Sequence, residues 1–157
     1  MKVRLISLIL AFLLLTGCSP QSSEHTVSLD GLSITLPVSF SPETTENTDQ
    51  AFMYRRDQQY ITGFKESKQE LSEYFQQLSL DGYVKKFTQY NLPETTAEQT
   101  EGLWNVVYTS TVEDTEYTFI CVFYETEEHF WRVQACCPTE HFAKNRQNLW
   151  KYIASAD

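Results

Sequence analysis

The residues best suited to chemistry are four cysteines and three histidines: Cys18, Cys121, the neighbours Cys136 and Cys137, and His25, His129 and His141. Cys136, Cys137 and His141 make a donor set that zinc would accept, but a closed zinc site takes four ligands and no paired spacing elsewhere supplies the fourth. A thiol nucleophile needs a base and a group that orients the base. Cys137 has His129 or His141 for the first role and no evident residue for the second. In the expected strand register Cys121 lies opposite Arg132 and Cys136 opposite Tyr117, two side-chain steps apart on one face. At about 3.3 Å of rise per residue that offset exceeds the reach of a disulfide. Buried free thiols are the expectation, with a vicinal Cys136–Cys137 bridge as the rarer alternative. Paired carboxylates such as Glu127-Glu128 fall in expected turns and read as solvated tips. The five glycines have no phosphate-loop spacing. The chain is therefore expected to be no enzyme, with no metal and no cofactor.

Cys18 stands apart because of what precedes it. Two positive charges in Met1-Lys2-Val3-Arg4 lead into Leu5–Leu15, interrupted only by Ser7. A membrane-crossing helix needs about 20 apolar residues, so this shorter run fits an export signal. Its end, Leu15-Thr16-Gly17-Cys18, resembles the lipobox of bacterial lipoproteins. The resemblance implies a signal peptide over 1–17 that is removed before Cys18, and acyl chains on Cys18. Two chains are needed because one gives only marginal, reversible membrane binding. The implied location is extracytoplasmic, anchored by lipid to the cell membrane of a bacterial envelope. The bilayer is then one partner.

Residues 18–24 are polar and aperiodic, which suits a flexible tether, and 25–157 then form a single domain. With Lys2 and Arg4 removed, ten basic residues of the original 12 face 21 acidic ones. An acidic surface repels nucleic acid and anionic headgroups, so neither is expected as a direct partner.

The elements that would position these residues follow from periodicity. Thr26–Leu29 and Leu32–Leu36 alternate around Asp30-Gly31, a strong hairpin signal closed by Pro37. Ser41–Gln50 reads as a loop, and Ala51–Arg56 with Gln59–Lys65 as a second hairpin. Ser67-Lys68-Gln69-Glu70 has the capping-box pattern before Leu71, Tyr74, Phe75 and Leu78, which predicts a helix over 68–78 that breaks near Asp81-Gly82. Leu103–Val112, Tyr117–Tyr124 and His129–Cys137 form a three-strand meander. Its alternation sends Trp104, Val106, Tyr108, Phe119, Cys121, Phe123 and Phe130 to one face. Val107, Ile120, Val122, Trp131, Val133 and Ala135 go to the other. Both faces are apolar, so both need cover. The second cover is a final helix capped by Thr139, with Phe142, Leu149, Trp150 and Ile153 along one side.

The order strands, helix, strands, helix predicts an α+β fold: an antiparallel β-sheet covered by helices on both faces. The opening GLSITLPVSF (Gly31–Phe40), the mid-chain helix, the meander and the closing CPTEHFAKNRQNLWKYIAS (Cys137–Ser155) resemble the PsbP/Mog1-like superfamily. An NTF2-like cone is the alternative. The superfamily resemblance implies a binding or accessory role without a catalytic site, here docking a membrane or cell-envelope protein. The competing expectation is an enzyme or small-ligand receptor with a pocket between sheet and helix. Most aromatics are needed as core. Tyr54, Tyr60, Tyr90 and Trp104, with the loop 41–50, are the residues expected to reach a binding surface.

Overall fold

The computed structural model describes residues 23–44 and 49–157; the signal segment, Cys18 and most of the tether lie outside the described residues. The first hairpin forms where expected. Strands β1 (Glu24–Leu29) and β2 (Leu32–Pro37) pair antiparallel, with Leu29 opposite Leu32. Asp30 and Gly31 turn between them at φ of 46° and 83°, the doubly left-handed geometry that Asp-Gly tolerates best. Lys65 donates to the Asp30 carboxylate and holds it below its usual range.

The region expected as a loop contains a short strand, β3 (Ser41–Pro42), paired with Tyr54 and Arg55. The second hairpin is as read, with β4 (Gln50–Arg56) and β5 (Gln59–Ser67) closed at Asp57. Phe52 lies opposite Gly63, where its ring occupies the space a Cβ would need.

The predicted helix over 68–78 does not form. β5 runs on to Ser67, which pairs with His129, and Lys68 N–H donates to the Glu128 carbonyl at 2.9 Å. Only a single turn, α1 (Glu73–Gln76), appears in that window. The main helix is α2 (Leu80–Asn91), which passes through Asp81-Gly82, where a break was expected. Ser79 caps it by accepting from Gly82 N–H at 3.3 Å. Leu80, Tyr83, Val84 and Phe87 share the i, i+3, i+4, i+7 spacing that had favoured the earlier window. The ladder to β9 decided between the two stripes.

The meander is longer than read: β6 (Glu98–Thr100), β7 (Leu103–Val112), β8 (Thr115–Glu125) and β9 (His129–Pro138). The sheet has seven antiparallel strands in the order β3-β4-β5-β9-β8-β7-β6. Register between β8 and β9 differs from expectation by two residues. Cys121 faces Gln134 and Cys136 faces Phe119, because the turn spans Thr126 to His129, joined at 2.9 Å and 3.1 Å. A shift of two leaves every side chain on its original face.

The last helix, α3 (Thr139–Ile153), has Pro138 at its cap position; Thr139 is its first residue and accepts from the Thr118 hydroxyl at 3.0 Å. On one face of the sheet, α2 sets Tyr83 and Val84 against Val106, Cys121, Phe123 and Phe130. Tyr83 stacks on Phe130 with centroids 4.3 Å apart. On the other face, Leu149 and Ile153 of α3 and Leu32, Ile34 and Leu36 of the hairpin cover Ile120, Val122, Trp131, Val133 and Ala135. Ser33 and Asp157 exchange two backbone hydrogen bonds at 2.8 Å and 3.0 Å, which ties the hairpin to the chain end. The antiparallel α+β sheet with helices on both faces is as expected.

Candidate binding face

The α2 face of the sheet is larger than α2 covers. Residues 117, 119, 121 and 123 of β8 point the same way by alternation. The helix packs over Cys121 and Phe123, whereas Tyr117 and Phe119 continue past it into a cavity of about 490 Å³. β5 contributes Tyr60 and Thr62 to the same cavity, β9 contributes Gln134 and Cys136, and β4 contributes Gln50 and Met53. Cavities of this size are typical of small-ligand and side-chain docking sites.

Four rings cross this half of the sheet. Tyr108 stacks on Phe119 at 5.0 Å with a 6° interplanar angle. Phe119 lies 6.4 Å from Tyr117, and Tyr117 meets Tyr60 edge-on at 6.2 Å. The Arg55 guanidinium stands 5.7 Å from the Tyr60 ring, in cation–π range. The Tyr108 hydroxyl donates to Gln134 Oε1 at 3.0 Å, and the buried Gln50 Oε1 has no partner among the described residues. Burial pushes the Tyr108 and Tyr117 hydroxyls up from their ordinary range and the Cys136 thiol up to about 12, so these groups are neutral near pH 7. The face offers mainly stacking and hydrogen bonding, with Arg55 and Glu113 as the charged groups beside the rings.

Of the four aromatics expected at a binding surface, Tyr60 lines this cavity. Tyr54 packs on the opposite core beside Phe52 and His25, Trp104 packs at the margin of the α2 core, and Tyr90 is exposed on α2. The structure does not bring the four together. Tyr108 and Phe119 were legible as one-face residues; Tyr117, which has the same parity on β8, was not named with them. Tyr108 packs at the edge of the α2 core, and nothing local marks Tyr117 and Phe119 as lying beyond the helix.

Cys121, Cys136 and Cys137 are free and buried, as expected. Cys136 lines the α2-face cavity and Cys137 lies in the α3 core, since neighbours on a strand point to opposite faces. Burial raises all three thiols, Cys121 to about 12. Among the described residues no group of three His, Cys, Asp or Glu side chains could hold a metal. A second concavity, about 360 Å³, lies between α3 and β6–β7, lined by Asn105, Val107, Arg146, Gln147 and Trp150. There the Trp150 indole N–H donates to Glu101 at 3.1 Å.

No family model matches the sequence, and no curated protein matches it significantly. Solved structures do. Cyanobacterial PsbP (CyanoP) from Synechocystis sp. PCC 6803 superposes with a TM-score of 0.58 at 9% identity, covering 90% of this chain and 95% of that one. A protein from Bacteroides thetaiotaomicron VPI-5482 gives 0.55 at 11% identity, covering 80% of this chain and 44% of its own. The Ran-binding protein Mog1p of Saccharomyces cerevisiae reaches 0.49 at 13% identity over 87% and 95%, too low to weigh in the fold assignment. At such identities the likeness concerns architecture alone, and the described domain has the PsbP-like α+β fold.

Proposed function

We propose that this chain is a lipid-anchored, non-catalytic binding module of the bacterial cell envelope. In this reading Cys18 carries the acyl chains, the tether spaces the domain from the bilayer, and the uncovered half of the α2 face docks a membrane or envelope protein. The observation that carries it is the row of four rings, Tyr108, Phe119, Tyr117 and Tyr60, extending past the helix that covers the rest of that face. Tyrosine and phenylalanine at the centre of a concave patch give large contact area at small entropic cost. The neutral thiols beside them favour packing over nucleophilic chemistry.

The test is brief crosslinking in intact cells followed by capture of the chain. The wild type should bring down a stoichiometric partner. Cys18→Ala should lose it by leaving the membrane, and the pair Tyr60→Ala with Tyr117→Ala should lose it while staying anchored and folded. Capture undiminished by the tyrosine changes would sink the assignment of the face.

A second reading, a small-ligand receptor or enzyme, draws on the cleft between α3 and the sheet, where Arg146, Gln147, Asn105 and Glu101 converge around Trp150. It expects envelope metabolites to change Trp150 fluorescence in the purified chain. No response across such a screen would remove its support.

A further inference from the structure

β7 is paired on one side only for most of its length. β6 meets it at Leu103–Asn105 and stops, while β8 pairs with it from Asn105 to Val112. From Val106 to Val112 the outer edge of the ladder has no strand beside it among the described residues. Folded proteins usually blunt such edges with lysine, proline or a bulge. Val106-Val107-Tyr108-Thr109-Ser110-Thr111-Val112 has no charge and no proline, and its pairing with β8 is regular. A groove of about 550 Å³ runs along the edge, between Val107–Thr109 and the segment Asn91–Thr95.

The chain segments that build this edge are acidic, and Arg146 of α3 is the basic residue that shares a cavity with Val107. Between Phe87 and Glu128 the chain carries nine acidic residues and no lysine, arginine or histidine, whereas outside that stretch 12 acidic residues balance 12 basic ones. Glu98 adjoins Asn105 where β6 stops, Glu113 and Asp114 turn the chain at the far end, and Glu94 lines the groove. None of these four carboxylates forms an ion pair among the described residues. We infer that the open edge of β7 takes an extended polypeptide segment bearing lysine or arginine as an added strand. Backbone hydrogen bonds supply the pairing, and the acidic frame selects the sign of the charge. A second copy of this chain fits poorly. Antiparallel self-pairing of Val106–Val112 would set each Glu113-Asp114 turn against the other copy's Glu98, like charge on like. The inference goes beyond the docking face proposed above and stands without it.

The test uses the full chain in detergent and a synthetic peptide of about eight residues alternating lysine with valine or threonine, a length matched to an ordinary strand. Two controls are the same peptide with glutamate for lysine, and one N-methylated at alternate amides. Hydrogen exchange on the free chain should find some β7 amides between Val106 and Val112 fast. The lysine peptide should slow them, and both controls should bind about tenfold or more weakly. Equal binding by the N-methylated peptide would reduce the effect to charge and overturn strand addition. So would failure of the lysine peptide to bind, or its binding without protection of β7. Protection of β7 without peptide, in a chain of dimeric mass, would give the edge to a second copy and overturn the inference. The tyrosine-face variants should leave peptide binding intact, which separates the two surfaces.

Discussion

Cys121, Cys136 and Cys137 were legible as buried thiols because each stands in an apolar alternating strand. Burial removes the solvation a thiolate needs, so Cys121 and Cys136 are pushed up to about 12 from an ordinary value near 9. In the native chain at pH 8, iodoacetamide should label them far more slowly than in urea, as read by mass spectrometry. The same shift gives stability a pH dependence. Above about pH 9 the unfolded thiols lose protons that the folded ones keep, so folding is penalised increasingly as pH rises towards 12. The urea midpoint should be level from pH 7 to about 8.5 and fall beyond, and Cys121→Ala should shallow that fall. What local reasoning missed at this scale was the spacing between Cys121 and Cys136. It depends on a turn set by the Thr126 hydroxyl and the His129 backbone.

The helix after β5 shows how two equivalent local signals are resolved by distant partners. Leu71, Tyr74, Phe75 and Leu78 have the same spacing as Leu80, Tyr83, Val84 and Phe87, and each set follows a serine that can cap. Ser67 is held in the β5–β9 ladder, and Lys68 is fixed by Glu125 and the Thr126 carbonyl, both at 2.8 Å. The start of the first window is therefore held in the ladder, and only the single turn α1 forms within it. The second helix forms despite Gly82, whose cost of about 1 kcal/mol relative to alanine is offset by burial of Tyr83 and Val84. Ser79→Ala should cost about 1 kcal/mol in urea unfolding, whereas Ser67→Ala, which removes no cap, should cost less than about 0.5 kcal/mol. In β5, Gly63→Ala should cost about 1–3 kcal/mol because a Cβ there would overlap the Phe52 ring. A midpoint unchanged by Gly63→Ala would mean the ring moves aside freely.

Across the whole molecule, the junction of β5 with β9 joins the two hairpin halves into one sheet, and α3 closes the face opposite α2. Leu149 is fully buried there, so Leu149→Ala should cost about 2–5 kcal/mol and lower the melting temperature in a single transition. Two independent transitions would contradict a shared core. Side-chain parity was fixed by the sequence alone, because alternation along a strand is local: which residues of β7, β8 and β9 face α2 and which face α3 survives even a register shift of two. The resemblance of Leu15-Thr16-Gly17-Cys18 to a lipobox is likewise local, carried by adjacent residues, and the lipid anchor proposed on it rests on that resemblance. Register, the start of α2 and the extent of its cover were decided only by the tertiary structure, because each depends on pairing between segments far apart in the chain. The half-buried ring row and the open β7 edge belong to that second group. Each is defined by where a neighbouring element stops, and no local pattern records that position.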